Sequence, residues 1–343
     1  MSYRVGVIGL GPIAAMYGKP GDEFPYCHIG GILQSNRVEL IAVADMLEEK
    51  REKFRSVWGE AIPGSVRYYE TGREMLEKEE LDIVAVCVRG PHHYAVTMEA
   101  IEAGVKTIFL EKPPSCSLAE MDEMVAAAKA KNIPITVSYS RHWNPRILRM
   151  QELVQQGLIG TVQTVVGYTG HSFLSFASHT TDLICQFAGY CPKAVFARGH
   201  LPEGEVPDGF EPEPQLDCMV IEFANGIIGV QVGANGAHGS FYCEILGTDG
   251  MARAGMYIPP YAQNEKREPI DLTQFNMPEN ASVFKVAYEQ IADYLDGGPL
   301  PHCTNDDFVA VNEIGFAGIE SFHTNQRIVL PNQNRQRRIF ANG

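Results

Sequence analysis

The chain has 343 residues, 45% hydrophobic and 20% charged, with a formal net charge of −14. This length exceeds one ordinary core and fits two domains; the acidic balance argues against nonspecific binding to nucleic acid or anionic membrane, both of which need a positive surface. No apolar run reaches the roughly 20 residues that span a bilayer, no basic-then-apolar leader precedes the first strand, and the eight scattered cysteines form no C-x-x-C pair. A cytoplasmic protein with reduced thiols and no metal site is therefore expected, its basic tail of Arg335, Arg337 and Arg338 a solvated terminus.

Tyr3-Arg4-Val5-Gly6-Val7-Ile8 reads as a buried strand that empties into Gly9-Leu10-Gly11-Pro12-Ile13-Ala14. A glycine-rich turn after a strand lets backbone approach a pyrophosphate, and Ala14 allows close packing of a following helix whose N-terminus favours phosphate charge. A second strand, Val38 to Ala44, ends at Asp45, whose carboxylate suits the adenosine ribose hydroxyls. NAD is expected over NADP, because Asp45 would repel a 2′-phosphate and Met46 brings no compensating charge. Asp45 lies further from the glycines than the usual spacing of about 20 residues. An inserted loop from Met16 to Cys27, marked by Gly18, Pro20, Gly21 and Pro25, accounts for the excess and precedes a helical stretch around His28 to Leu33.

Strand and helix patterns then alternate as in βαβ units: Leu81–Val88, Tyr94–Ala103, Val105–Leu110, Leu118–Lys131 and Ile133–Ser138. After Asn144 the rhythm changes. Helices near Pro145–Gly157 and Phe176–Gly189 frame a strand Thr161–Tyr168, with Phe173, Phe176 and Phe187 expected in the core. Ala194–Arg198, Leu216–Phe223, Ile227–Val232 and Phe241–Leu246 predict one mostly antiparallel sheet, with Asn225-Gly226 and Asp249-Gly250 as hairpin signals and His200–Pro214 as a loop. Helices Val283–Leu295 and Asp306–Asn325 close the chain. The fold class is thus α/β plus α+β: a doubly wound parallel sheet over residues 1–140, then an open, mostly antiparallel sheet with flanking helices over 141–343, the last helix packing back on the first domain.

Glu111-Lys112-Pro113-Pro114 falls at the carboxyl end of a parallel strand, where open α/β sheets place ligands. A lysine there is placed to hydrogen-bond a reacting hydroxyl. With Gly9-x-Gly11-x-x-Ala14, Asp45, Tyr139-x-Arg141-x-Trp143-Asn144-Pro145, His179-x-x-Asp182 and the terminal Ala317–Ser321 helix, the chain resembles the glucose-fructose oxidoreductase/inositol dehydrogenase (Gfo/Idh/MocA) family over nearly its whole length. The resemblance implies hydride transfer between a nicotinamide and a sugar, sugar acid or cyclitol, with Lys112 binding the reacting hydroxyl and His179 taking its proton. It also implies a homodimer or homotetramer formed through the sheet of the second domain.

Two departures stand out. The resembled family places a carboxylate one helical turn before the histidine, and this chain has Ser175; Asp182, on the same helical side as His179, reads first as a structural hydrogen-bonding residue. Val88-Arg89-Gly90 replaces the more usual Thr-Pro-x beside the cofactor, and Arg89 is placed to meet a phosphate or an anionic substrate. Val88, Arg89, His93 and Glu111 are expected at the cofactor, whereas His92 reads as a surface residue at a helix start. Arg141, His142, Trp143, His171 and Ser175 are expected at the substrate, with His238 a more distant candidate. Two other functions fit less well: a redox-neutral enzyme that retains NAD while oxidising a sugar transiently, and a non-enzymatic dinucleotide or sugar sensor.

Overall fold

The computed structural model describes residues 2–169, 171–233 and 241–342; His238 lies outside them. The chain divides into two compact units. The first comprises Met1–Ser115, Glu120–Ser138 and Ala281–Asn305, and the second comprises Cys116–Ala119, Tyr139–Asn280 and Asp306–Gly343.

In the first unit, β1 (Tyr3–Ile8), α1 (His28–Gln34), β2 (Val38–Ala44), α2 (Glu48–Trp58), β3 (Arg67–Tyr69), α3 (Gly72–Lys78), β4 (Ile83–Val86), α4 (Gly90–Ala103), β5 (Thr107–Leu110), α5 (Leu118–Ala130) and β6 (Ile135–Val137) succeed one another. The sheet runs β3-β2-β1-β4-β5-β6, parallel throughout. Strands of β-branched and small apolar residues suit a sheet covered on both faces, and Val5, Val7, Val43 and Val84 have no exposed surface. The strand order reverses between β1 and β4, which makes their carboxyl ends the crevice of this sheet.

As the expected insertion requires, the helix does not follow the glycine turn directly. Pro12–Met16 makes one five-residue helical turn, and α1 starts only at His28. Gly18, Pro20, Gly21 and Pro25 fill the intervening segment with residues that break helices. So short a turn aligns few peptide dipoles, and the anion-binding argument here rests on the turn's backbone rather than on a helix macrodipole. Helix Val283–Leu295 also belongs to this unit and packs on α1.

The second unit continues with α6 (Pro145–Gln155), β7 (Val162–Tyr168), α7 (Ser178–Ala188), β8 (Pro192–His200), β9 (Glu211–Pro212), β10 (Gln215–Phe223), β11 (Ile228–Val232), β12 (Tyr242–Gly247), β13 (Gly250–Gly255) and β14 (Tyr261–Asn264). After α8 (Val283–Leu295), the helix already placed in the first unit, come α9 (Asp306–Thr324), β15 (Ile328–Val329) and β16 (Ile339–Phe340). Eight strands form the sheet β14-β13-β12-β7-β11-β10-β8-β15, antiparallel except for β7 with β11. Gly226, at φ +87°, turns the β10–β11 hairpin, and Thr248-Asp249 turn the next.

The segment His200–Pro214 is not wholly loop: β8 runs to His200, and β9 pairs in parallel with β16. Phe173 and Phe187 are buried as expected, but Phe176 is 45% exposed. It lies in the irregular turn before α7, where helical spacing does not govern which way a side chain points, and its ring is 5.5 Å from that of exposed His171. Among the described residues no helix is long and apolar enough to cross a membrane. All eight cysteines are free.

Candidate active site

In the first unit the glycine turn sits at the end of β1. Gly9 has φ +93°, and a Cβ there would come within 2.6 Å of the Cys87 carbonyl, so the turn tolerates only glycine. A Cβ on Gly11 would meet nothing within 4 Å, and Pro12 beside it is exposed. The turn therefore leaves room against its backbone, as a dinucleotide pyrophosphate requires. Ile13 is half-buried and Ala14 fully buried.

Asp45 ends β2 and also braces the turn. Its Oδ2 accepts from Leu10 N at 2.8 Å and its Oδ1 from Leu47 N at 3.0 Å. Two cations from α2 attend it: Lys50 Nζ lies 3.5 Å from Oδ2, and Arg51 donates to the Asp45 carbonyl at 2.5 Å. The sequence argument weighed only Met46, which is 76% exposed, and missed these charges one turn further along.

The Glu111-Lys112-Pro113 segment follows β5. Glu111 is 4% exposed, and its Oε1 meets His28 Nε2 at 3.0 Å while Oε2 accepts from Lys112 N at 3.3 Å. On the other side of His28, Nδ1 meets the Tyr288 hydroxyl at 2.9 Å. An imidazole with its proton on Nε2 satisfies both contacts, receiving from Tyr288 and donating to Glu111. Burial by itself would raise the Glu111 carboxyl, but the His28 hydrogen bond and the neighbouring Lys112 charge outweigh it and hold the group below the usual carboxylate range. Burial pushes the Tyr288 phenol well up, so it stays a donor.

His93 grips the segment from the other side. Its Nδ1 lies 2.6 Å from Pro113 O and its Nε2 2.9 Å from Val88 O, between the loop after β5 and the loop after β4, and a neutral ring donates to only one of these two carbonyls. Burial pushes His93 below the ordinary histidine value, although both carbonyls and the Glu111 charge favour the cation. The side chain of Lys112 is half-buried, Val88 is half-buried, and Arg89, at the residue before α4, is exposed.

In the second unit His179 lies in the first turn of α7 and is 5% exposed. Two rings meet it edge-on, Tyr139 at 6.3 Å and Phe241 at 5.7 Å between centroids. The Arg141 guanidinium stands 4.0 Å from the Phe241 centroid, a cation–π contact that orders a buried charge. Asp182 belongs to a different histidine: Oδ2 lies 3.1 Å from His142 Nδ1, and Oδ1 accepts from Tyr190 at 2.8 Å. Trp143 and His142 are each 1% exposed, while His171 is at the surface with φ +73°.

Ser175 has a carboxylate beside it after all. Glu213, 7% exposed, accepts from Ser175 Oγ at 2.5 Å, from Ser175 N at 2.8 Å and from Leu174 N at 2.5 Å. Sequence reasoning placed Glu213 in a polar loop. A signal was present in the two prolines that flank this single acid, Pro212 and Pro214, but nothing in the sequence aims it at position 175.

Residues 3–139 match the family described as an oxidoreductase family with an NAD-binding Rossmann fold, GFO_IDH_MocA. Myo-inositol 2-dehydrogenase of Thermotoga maritima is 24% identical over 66% of this chain and 67% of its own length. The scyllo-inositol 2-dehydrogenase (NAD(+)) of Bacillus subtilis is 23% identical over 95% of this chain and 96% of its own. The solved aldose-aldose oxidoreductase of Caulobacter crescentus, complexed with glycerol, shares the fold with a TM-score of 0.78 at 19% identity, covering 96% of this chain and 100% of that one. With a glycine turn, an acid at the end of β2 and a family match over residues 3–139, the first unit is similar to the NAD-binding Rossmann unit of the Gfo/Idh/MocA oxidoreductases.

Proposed function

We propose that this oxidoreductase is a dehydrogenase that moves a hydride between NAD and a hydroxyl-bearing carbon of a sugar, sugar acid or cyclitol. The observation that carries the reading is the half-buried Lys112 at the end of β5, its main chain held by buried Glu111 and its neighbour Pro113 held by buried His93. Such double anchoring fits a group that must meet a reacting atom in fixed geometry. The inositol dehydrogenases among the relatives support a polyol or cyclitol as substrate class.

Bound NAD supplies the hydride acceptor. The backbone of Gly9 to Ala14, including Pro12 and Ile13, would hold its pyrophosphate and Asp45 its ribose hydroxyls, with Met46, Val88, Arg89 and Glu111 as further residues that would hold it. Lys112 Nζ donates to the reacting oxygen, and the His179 imidazole accepts the hydroxyl proton. Arg141 and Ser175 orient the remainder of the substrate, with His142, Trp143 and His171 in supporting places. NAD is preferred to NADP because Asp45 repels a 2′-phosphate, a preference that Lys50 and Arg51 moderate. Exposed Val220, Val232 and Leu246 on the second unit's sheet suit a homo-oligomer interface.

The test is the growth of reduced-nicotinamide absorbance with NAD, and separately NADP, across polyols, cyclitols and sugar acids. Lys112→Met should cut kcat by at least about a thousandfold, the scale of losing a group acting on the reacting atoms, while NAD affinity stays within a few-fold. Undiminished turnover in that variant sinks the assignment. A flat trace on every substrate sinks the dehydrogenase reading.

A further inference from the structure

Lys112 is held by its main chain, and the hold can be followed inward. Lys112 N donates to Glu111 Oε2 at 3.3 Å, a bond that lasts only while the Glu111 carboxylate keeps its orientation. The last torsion of a glutamate is broad, so one long bond from the adjacent amide does not fix it. The other oxygen meets His28, whose Nε2 lies 3.0 Å from Oε1. Against burial, which raises the Glu111 carboxyl, this hydrogen bond is the largest influence keeping it ionised, ahead of the Lys112 charge and the Ser138 hydroxyl.

His28 is itself fixed from several sides. It has no exposed surface, and its Nδ1 meets the Tyr288 hydroxyl at 2.9 Å. The rings of Phe109, Phe284 and Tyr288 surround it at 4.7, 4.6 and 5.9 Å between centroids. An imidazole bonded at both nitrogens and enclosed by three rings keeps one orientation. Its place in the chain is pinned as well. His28 opens α1, just where the inserted segment ends, and the Cys27 side chain before it accepts from Gly30 N. Ser282, the residue that caps α8, donates to Pro25 O at 2.8 Å, and the Tyr26 ring stands 5.6 Å from Phe284. Phe284 and Tyr288 belong to that same helix, so the end of the insertion and α8 together seat the imidazole.

We infer that His28, oriented by Tyr288, is the positioning residue for Lys112: through Glu111 it fixes the main chain from which the ammonium reaches the reacting hydroxyl. The inference rests on the role given to Lys112 above. It also gives the insertion a use, since its last residues, Pro25 to Cys27, help build the mount of the lysine.

Two adjacent amides read two different holds. Glu111 N donates to Val86 O at 2.9 Å, between the ends of neighbouring strands, whereas Lys112 N depends on the Glu111 side chain. Amide hydrogen exchange at both is compared in wild type, His28→Leu, His28→Gln, Tyr288→Phe and Ile29→Ala, the last a fully buried neighbour of His28 on α1. His28→Leu should speed exchange at Lys112 at least about tenfold more than at Glu111, as a local opening does. His28→Gln returns an N–H donor and should restore most of the protection. Tyr288→Phe should give a selective rise of about threefold, because the imidazole keeps Glu111 but loses its own guide. Ile29→Ala removes core volume without touching these bonds and should move both amides alike. On the substrate found in the absorbance test, His28→Leu should lower kcat roughly ten- to a hundredfold, the range for a misplaced reacting group. KM and NAD affinity should stay within a few-fold, and His28→Gln should recover most of kcat.

A Lys112 amide unprotected in wild type, or one that moves with the Glu111 amide in every folded variant, assigns His28 to folding alone and overturns the inference. If His28→Leu does not fold, Tyr288→Phe decides by the same comparison. Exchange needs no substrate. A wild type without turnover therefore sinks the dehydrogenase reading and leaves the exchange result standing, whereas an active wild type matched in kcat by His28→Leu sinks this inference alone.

Discussion

Each unit joins a tyrosine, a histidine and a carboxylate by hydrogen bonds, but the two trios are joined in different orders. In the first, His28 is the link, with Tyr288 on Nδ1 and Glu111 on Nε2. In the second, Tyr190 reaches both partners, 2.8 Å from Asp182 and 3.2 Å from His142 Nδ1, while His142 and Asp182 also meet directly. The first is a line and the second a triangle. A line fails at its middle member, because both ends lose their contact within the trio together; a triangle that loses one corner leaves the other two in contact. The line also ends on the residue beside Lys112, the group to which the proposed function gives the reacting hydroxyl.

The comparison breaks most sharply at His28. His28→Ala leaves the buried Tyr288 hydroxyl without its partner and takes one hydrogen bond from buried Glu111, which keeps Lys112 N, and should cost about 3–5 kcal/mol, the range for breaking a buried pair by removing one partner. Urea unfolding midpoints measure it. A loss below about 1 kcal/mol would mean that water takes over the role of the imidazole and that the line is not a unit.

A second, smaller effect is the pH dependence of stability. The folded Glu111 carboxyl lies below its unfolded value of about 4.3. Its contribution is then present above that value and lost as pH falls through the folded one. His93 is also pushed below its unfolded value of about 6.5 by burial. The unfolded chain therefore binds that proton first, and stability declines as pH drops below about 6.5 until the folded group titrates too. Both groups make acid destabilising, in two limbs. His93→Gln should flatten the upper limb and leave the lower one; a profile unchanged by this variant would remove His93 from the account.

The sequence made the Rossmann half legible because its signals are local. A buried strand, a glycine turn and an acid at the next strand end lie in one stretch, and Gly9 sits in the backbone conformation that the turn predicts. The hairpin at Asn225-Gly226 was readable for the same reason. What stayed hidden was every partner brought from far away. Tyr288 is 260 residues from His28, Glu213 is 38 from Ser175, and neither carries a motif. The helix around His28 to Leu33 was readable because the Gly and Pro residues before it mark an insertion, whereas the single helical turn Pro12–Met16 carried no such signal. Phe176 was misplaced because helical spacing was extended into a segment that is not yet helical. Lys50 and Arg51 were missed because only the residue next to Asp45 was weighed, although a helix returns residues five and six positions later to the same end.

The least disruptive variants sharpen the contrast between line and triangle. Tyr288→Phe removes the donor from His28 Nδ1 inside a fully buried site, leaving an imidazole nitrogen without its partner, and should cost about 1–3 kcal/mol. Tyr190→Phe removes a donor from Asp182, but His142 still meets that carboxylate and the half-buried position of Tyr190 admits water. Its cost should be about 0.5–1.5 kcal/mol, the net value of one ordinary hydrogen bond. The same chemical change, one hydroxyl to hydrogen, is made in both, so the difference isolates connectivity and burial from the group itself. If Tyr190→Phe proves the more damaging of the two, the triangle is held by its tyrosine rather than by the His142–Asp182 contact, and the distinction between the two trios inverts.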